Sequence, residues 1–221
     1  MFIGHYAAGF ACKAVAPRAS LGTYFAAVQF LDLLWPPLVL AGIERVRVDP
    51  GNTAFTPLDF VHYPYSHSLL MAAVWSVGFA AVHYWRRRDA ATAAWLGGAV
   101  FSHWVLDWIS HRADLPLAPG VDVYVGVGLW NSVAATLAVE GGLFAVALAL
   151  YVSRTRASSR AGTWGLAALA GVLAAIYLGN LAAVPPPGAT AVALAGLGLW
   201  LFVAWGWWVG RHRVAAAAPS R

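Results

Sequence analysis

Long apolar runs separated by short polar segments make up most of this chain. A short apolar run stands at the N-terminus, and six later runs each approach or exceed the roughly 20 residues that a membrane-crossing helix needs. The short run covers residues 3–16, and the long runs cover 21–43, 66–85, 90–111, 129–152, 163–184 and 189–210. The pattern predicts an all-α fold, a polytopic transmembrane helix bundle with six long spans plus a short N-terminal helix.

The first long run contains features that would shape a pocket. Ser20 precedes it and is expected to cap its first turn, because serine side chains accept hydrogen bonds from the free N–H groups there. Asp32 lies inside the run, and Pro36-Pro37 follow it closely. Proline in a helix interior removes backbone hydrogen bonds, so we expect a kink at the prolines, just after the carboxylate.

Polar residues divide the chain into three predicted parts. Residues 1–152 contain the candidate site residues and are expected to form a metal-site transmembrane core. Residues 153–213 carry few polar groups within their apolar runs and are expected to form two accessory transmembrane helices. The alanine-rich residues 214–221 are predicted to be a disordered tail.

Composition supports the membrane prediction and excludes several kinds of site. The chain is 61% hydrophobic and only 10% charged, whereas a soluble domain carries about 25% charged residues. One cysteine, Cys12, excludes an intramolecular disulfide and a cysteine-rich metal site. The net charge of +5 is not taken as a sign of nucleic-acid binding, since basic residues in membrane proteins mainly set orientation.

Basic residues predict that orientation, because loops on the cytoplasmic side are enriched in Lys and Arg. Alternating spans place one large group on the same side: Lys13, Arg18, Arg86, Arg87, Arg88, Arg154, Arg156, Arg160, Arg211 and Arg213. The opposite side receives only Arg45, Arg47 and Arg112. We therefore expect an integral protein of a prokaryotic cytoplasmic membrane, with the basic loops and the C-terminus in the cytoplasm.

Three polar residues recur every four positions inside one apolar run. His103, Asp107 and His111 would stack on one face of a helix, one turn apart. Ionisable groups at such a depth are costly, and they usually mark a functional site. Two imidazoles beside a carboxylate are typical of a metal site or a proton relay. A polar seam that joins two helices is the structural alternative.

Further histidines and carboxylates fall at a similar predicted depth, in the outer half of the membrane or near its middle: His5, Asp32, His62, His67 and Glu140. Histidine with carboxylate oxygen suits Zn²⁺, and other divalent transition metals less exclusively. We expect one or two ions. Glu140 or Asp114 would orient a ligand from outside the metal's own shell, or Glu140 would act as a general base.

Four motifs in this order resemble the bacterial and archaeal family of membrane-bound metal-dependent hydrolases, which is distantly similar to zinc-dependent phospholipase C. They are Gly4-His5, the Leu-Asp-Leu-Leu-Trp-Pro run at 31–36, the His-Tyr-Pro-Tyr-Ser-His-Ser-Leu run at 62–69 and the Ser-His-Trp-Val-Leu-Asp run at 102–107. The resemblance covers about residues 1–152. It implies metal ligation by His5, Asp32, His67, His103 and Asp107, with His62 as a further ligand. Many relatives have a second carboxylate where this chain has Leu34.

The expected function is a metal-dependent hydrolase that cleaves an ester or phosphoester through a metal-activated water. The depth of the site favours a membrane lipid or lipid-linked substrate, and His62, His111 and Glu140 are the candidates for proton transfer. The main alternative is a metal-ion or proton transporter or channel that uses the same His/Asp cluster. Haem or quinone redox chemistry is a further alternative. The sequence does not indicate an oligomeric state.

Overall fold

The computed structural model describes residues 1–216 and is mostly helical. The short predicted N-terminal helix is present, and helices occupy most of each predicted long run. The helices are α1 Ile3–Val15, α2 Leu21–Val28, α3 Phe30–Leu40, α4 Pro64–His67, α5 Leu69–Arg87, α6 Ala90–Ser110, α7 Val133–Arg154, α8 Arg160–Gly179, α9 Ala189–Leu197 and α10 Leu199–Arg211. A single 3₁₀ turn at Leu129–Asn131 precedes α7.

Fewer helices than predicted are both long and apolar enough to cross a membrane. Within residues 1–216 three qualify, namely α7, α8 and the continuous pair α9–α10. A fourth is reached only if the bent pair α2–α3 counts as one span. The six-span prediction is therefore not supported. Helices α5 and α6 are long enough, but tryptophan, histidine, tyrosine and arginine lower their apolar character.

The first predicted long span is broken before its prolines. Helices α2 and α3 meet at an angle of 54°, with the break at the buried residue Gln29. Helix α3 then continues through Pro36 and Pro37, so the prolines do not end the helix and the sharp bend lies before them, at Gln29. Ser20 caps α2 as expected, since its hydroxyl accepts a hydrogen bond from Thr23 N at 3.0 Å.

Three short antiparallel ladders join the loops, so the chain is not purely α-helical. They pair β1 Arg45–Val48 with β2 Leu58–His62, β3 Leu115–Pro116 with β4 Tyr124–Val125, and β5 Thr155–Ala157 with β6 Arg213–Ala215. Strand β1 reads Arg-Val-Arg-Val, and its alternation exposes the arginines while burying Val46. This two-residue period is typical of a strand with one buried face.

The third ladder includes residues that the sequence placed in a disordered tail. Val214 pairs with Arg156, and Ala215 pairs with Thr155. The prediction of disorder is therefore wrong for these two residues, because backbone pairing with β5 holds them. Residues 217–221 of the predicted tail lie outside the described part of the chain.

Helix α1 lies in the interior of the bundle, which explains why a helix too short to span a membrane is apolar. Tyr6 and Phe10 on this helix are completely buried. Phe10 packs against Phe144 and Tyr151 of α7, and the backbone of Phe2 meets Glu140. The contacts advance in the same direction along both helices, so α1 and α7 run parallel. His5 is thereby carried into the core on a fixed support.

Close packing of α2 against α10 gives a first testable prediction. A Cβ atom on Gly22 would lie 2.5 Å from the backbone nitrogen of Trp207. We expect Gly22→Ala to lower the free energy of unfolding by about 1–3 kcal/mol, because backbone cannot yield as a flexible side chain can. Denaturant unfolding of the detergent-solubilised protein measures this change.

Gly78→Ala is the matched control, since a Cβ atom at Gly78 in α5 meets nothing within 4 Å. Alanine favours a helix by about 1 kcal/mol over glycine, so this variant should be as stable as the wild type or more so. Equal destabilisation by both variants would contradict the packing of α2 against α10.

Candidate metal centre

Five of the predicted site residues meet in one buried cluster, which we call the His/Asp cluster: His5, Asp32, His67, His103 and Asp107. They come from α1, α3, α4 and α6, so residues distant in sequence are brought together by helix packing. All except Asp32 are buried, and the Asp32 side chain is 26% exposed. The cluster is thus closed on most sides and open at Asp32.

Asp107 lies at the centre of the first half of the cluster. One carboxylate oxygen, Oδ1, is 3.1 Å from His5 Nε2, and the other, Oδ2, is 3.1 Å from His103 Nε2. The two imidazole rings stack in parallel, with their centroids 3.7 Å apart. Ligand atoms of these three residues all lie within 4.8 Å of one another, which is close enough to hold one metal ion.

Asp32, His67 and His103 form the second half of the cluster, so His103 belongs to both halves. The Oδ1 atom of Asp32 is 3.2 Å from His67 Nε2 and 3.7 Å from His103 Nε2. These three residues also have ligand atoms within 4.8 Å of one another. The two halves therefore share His103, and the five residues can hold one metal ion or two neighbouring ions.

A backbone carbonyl fixes which nitrogen of His103 carries the proton. Nδ1 of His103 lies 2.6 Å from the carbonyl oxygen of Val28, and a carbonyl can only accept. Nδ1 must therefore donate, which leaves Nε2 of a neutral ring with its lone pair. Nε2 has no hydrogen-bond partner among the described residues. The bend after Val28 thus holds His103 in the form that binds a metal.

A short polar chain fixes His67 in the same way. Ser66 Oγ donates to Glu44 Oε2 at 2.6 Å, because a carboxylate accepts only. The Ser66 hydroxyl then accepts from His67 Nδ1, which is 2.7 Å away. Nε2 of His67 is left with a lone pair that faces Asp32. Glu44 is itself buried and also accepts from the backbone nitrogens of Tyr65 and Ser66.

With both rings neutral, the cluster places electron-rich atoms close together. The Nε2 atoms of His67 and His103 each lie 3.1–3.8 Å from carboxylate oxygens of Asp32 and Asp107. Neutral rings so placed repel the carboxylates in a buried place, and a cation among these atoms would relieve that repulsion. The amine of Met1 donates to Asp107 Oδ1 at 2.5 Å, which leaves Oδ2 facing the histidines. The donor set, imidazole nitrogen with carboxylate oxygen, fits a divalent transition metal.

His111 does not join the cluster, although the sequence stacked it with His103 and Asp107. Helix α6 ends at Ser110, and the backbone of His111 is extended, so its side chain leaves the helix face. Its Nδ1 atom is 3.0 Å from Asp114 Oδ1, while its ring packs against Trp130. The predicted three-residue stripe is therefore wrong at its last position.

Tyr63 lies between His111 and the cluster. Its hydroxyl donates to Asp114 Oδ1 at 3.2 Å, and its ring centroid is 5.4 Å from that of His67. Burial, and then the Asp114 carboxylate, raise the pKa of the Tyr63 phenol well above its usual range. Tyr63 therefore stays protonated and serves as a donor. Asp114, which the sequence offered as an orienting carboxylate, orients His111 and Tyr63 and has no contact with a cluster histidine among the described residues.

His62 also lies apart from the cluster. It ends strand β2 and is partly exposed. Its side chain lines a small surface cavity of about 80 Å³ together with Asp122 and Tyr124. The structure thus gives His62 no contact with the five cluster residues, and its predicted roles as a ligand and in proton transfer gain no support from its position.

Glu140 is hydrogen-bonded to backbone in this structure, and its predicted roles as an orienting group or a general base stay predictions. Its Oε2 atom accepts hydrogen bonds from the backbone nitrogens of Phe2 at 2.9 Å and Gly4 at 3.2 Å. These N–H groups belong to the start of α1, where helices leave donors without partners. Glu140 therefore anchors the N-terminal end of α1, one turn or less from His5. It forms no hydrogen bond with a side chain of the five cluster residues.

Three supporting residues were missed by sequence reasoning. Ser66 and Glu44 fix His67, and the Val28 carbonyl fixes His103. Ser66 could have been suspected because it precedes a candidate ligand, whereas Glu44 lies in a polar loop that gave no signal of burial. A backbone carbonyl has no sequence signature at all.

Comparison with known proteins adds no family to this picture. Family models, curated proteins and solved structures were all searched, and none of them matches the chain. The interpretation of the cluster therefore depends on its own geometry and on the motifs in the sequence.

The position of Glu140 gives a prediction that separates anchoring from catalysis. Glu140→Ala should lower the free energy of unfolding by about 1–3 kcal/mol, since it leaves buried backbone donors without an acceptor. Glu140→Gln keeps one carbonyl oxygen as an acceptor and should lose much less. Chemical denaturation in detergent compares the two variants. A Glu140→Ala protein as stable as the wild type would contradict the anchoring role.

Proposed function

We propose that this protein is an integral membrane hydrolase that depends on a divalent metal held by the His/Asp cluster. One observation carries the proposal: two imidazoles, oriented by Val28 and Ser66, bring their Nε2 atoms close to two carboxylates in a buried place. The motif resemblance described above supports the hydrolase class. Zn²⁺ is the proposed metal, because its usual ligands are these donors.

Each residue of the cluster has a distinct part in holding the ion. His103 and Asp107 would hold the ion from one face of α6, and His5 would hold it from α1. His67 and Asp32 provide the donors nearest to the opening. A bound divalent ion supplies Lewis-acid chemistry, which activates water and polarises an ester or phosphoester. Glu44 and Ser66 keep the His67 ring in place throughout.

The opening at Asp32 supports the proposed substrate class. Asp32 belongs to α3, which forms the second half of the bent apolar pair α2–α3. A site whose only partly exposed member lies on an apolar helix is reached more readily by an amphipathic molecule than by a small ion from water. We propose a membrane lipid or lipid-linked ester as the substrate, on the side of the membrane opposite to the arginine-rich helix ends.

Metal content is the first test of this proposal. Protein purified in detergent and dialysed against Zn²⁺ should retain about one or two ions per chain, and His103→Ala should lose most of them, because His103 belongs to both halves of the cluster. His83→Ala on α5 is the control, since His83 lies outside the cluster. Elemental analysis gives the stoichiometry. Equal zinc content in all three proteins would refute the metal site.

Activity separates the hydrolase from the transporter alternative. Chromogenic carboxylester and phosphoester substrates should be hydrolysed by the zinc-loaded protein, and a chelator should abolish turnover. If zinc binds as predicted but no ester is cleaved, while Zn²⁺ or protons cross the membrane of reconstituted liposomes, the transporter reading replaces the hydrolase.

The chain from Glu44 through Ser66 to His67 gives a further prediction. Ser66→Ala removes the acceptor that holds His67 Nδ1–H, and it should weaken zinc affinity about 10–100-fold, as the loss of such orienting groups usually does. Ser76→Ala is the matched control, because Ser76 is buried but its hydroxyl donates only within its own helix, to Ala72. Competition with a zinc chelator measures both affinities. Unchanged affinity in Ser66→Ala would contradict the orienting role.

A further inference from the structure

An apolar groove runs between α8 and α10, away from the His/Asp cluster. Its volume is about 600 Å³, and its lining is almost entirely apolar. The residues that line it are Trp164, Gly165, Ala168, Ala204, Trp205 and Trp208. Helix α8 and the pair α9–α10 are among the helices suited to cross a membrane. The groove therefore faces the region where lipid chains surround the protein.

A glycine gives the groove its shape. A Cβ atom at Gly165 would lie 2.3 Å from the Trp208 ring, so only glycine lets that ring lie directly against α8. Trp164 projects beyond it and is 67% exposed, while Trp208 is 42% exposed. The two exposed indoles form the sides of the groove, and the exposed alanines Ala168 and Ala204 form its base.

Basic groups stand at one end of this groove. Arg160 precedes Trp164 by four residues and so lies on the same face of α8, one turn nearer the helix end. His212 follows Trp208 by four residues, and the two ring centroids are 5.2 Å apart. Each indole wall therefore leads to a basic side chain at the same end, where the β5–β6 ladder joins the chain.

No negative charge offsets this basic end. The sequence contains no Asp or Glu after Glu140. Arg213 is used within the fold, because its guanidinium donates to the Thr155 backbone and hydroxyl oxygens. The remaining arginines of this end are exposed and form no ion pair within residues 1–216: Arg154, Arg156, Arg160 and Arg211. These exposed arginines are therefore available to an anion from outside the chain.

We propose that this groove binds one anionic glycerophospholipid, with an acyl chain between the indoles and the phosphate at Arg160. A lipid chain is the apolar body that a bilayer supplies to a groove between spanning helices. A guanidinium recognises a phosphate through paired hydrogen bonds, and basic residues at helix ends attract anionic headgroups. A second copy of the chain fits less well, since it would bring the same unpaired arginines. This site is independent of the metal cluster.

Brominated lipids test the proposal, because bromine on an acyl chain quenches nearby tryptophans. The full chain is reconstituted in phosphatidylcholine vesicles that contain a small fraction of brominated phosphatidylglycerol or, separately, brominated phosphatidylcholine. The wild type should be quenched more strongly by the anionic lipid. Ala168→Phe and Ala204→Phe, which fill the groove from α8 and from α10 respectively, should each abolish that excess.

Charge is tested with a matched pair of arginines. Arg160→Gln should lower the relative affinity for phosphatidylglycerol about fivefold, the value expected for one basic residue near a membrane surface. Arg86→Gln removes an equal charge from the exposed end of α5 and should leave the excess quenching unchanged. Ala167→Phe adds the same bulk to an exposed position of α8 outside the groove lining, and it too should have no effect.

Three results would overturn the proposal. Equal quenching of the wild type by both lipids would show ordinary surrounding lipid only. Equal losses in Arg160→Gln and Arg86→Gln would show a general attraction to net charge. A change of oligomeric state in Ala168→Phe and Ala204→Phe, measured by light scattering in detergent, would show that a second copy occupies the groove. Arg160→Gln alters an exposed residue, so it still decides the matter if the phenylalanine variants fail to fold.

Discussion

The meeting of two buried imidazoles with two carboxylates is the constraint around which the rest of the structure is arranged. Nε2 of His67 lies 3.2 Å from Asp32 and Nε2 of His103 lies 3.1 Å from Asp107, where little water can separate them. With neutral rings such like polarity is unfavourable, because burial removes the solvent that would otherwise screen it, and a cation among these atoms would relieve it. The surrounding fold supplies no competing acceptor or donor that would relieve it at His103 Nε2.

Unusual features of the bundle follow from the need to hold these groups. The short helix α1 is buried instead of spanning, and Glu140 anchors its first turn so that His5 stacks on His103. The break between α2 and α3 comes one residue after Val28, whose carbonyl oxygen accepts a hydrogen bond from His103 Nδ1–H. The buried Glu44 reaches the cluster only through Ser66. The backbone break and the buried carboxylates therefore coincide with the groups that orient the cluster histidines.

Sequence reasoning could identify the cluster residues but could not assign every role. His103 and Asp107 were predictable, because a four-residue spacing survives wherever the helix continues. His111 failed because α6 ends one residue earlier, and helix ends are poorly determined by apolar periodicity. Glu140 stood out in the sequence as a carboxylate inside an apolar run, yet its backbone partners Phe2 and Gly4 depend on tertiary packing. The six-span count failed because polar aromatic residues and histidines make α5 and α6 less apolar than their length suggested.

X-ray absorption on the zinc-loaded protein tests the central claim most directly, because it reports which atoms surround the metal. We expect the zinc to be surrounded by nitrogen and oxygen atoms only, with the outer-shell scattering typical of imidazole rings. The zinc that His103→Ala still retains should show weaker imidazole scattering, whereas His83→Ala should give the wild-type signal. A zinc shell without imidazole scattering, or one that is identical in wild type and His103→Ala, would contradict the claim that His67 and His103 are held ready for a metal.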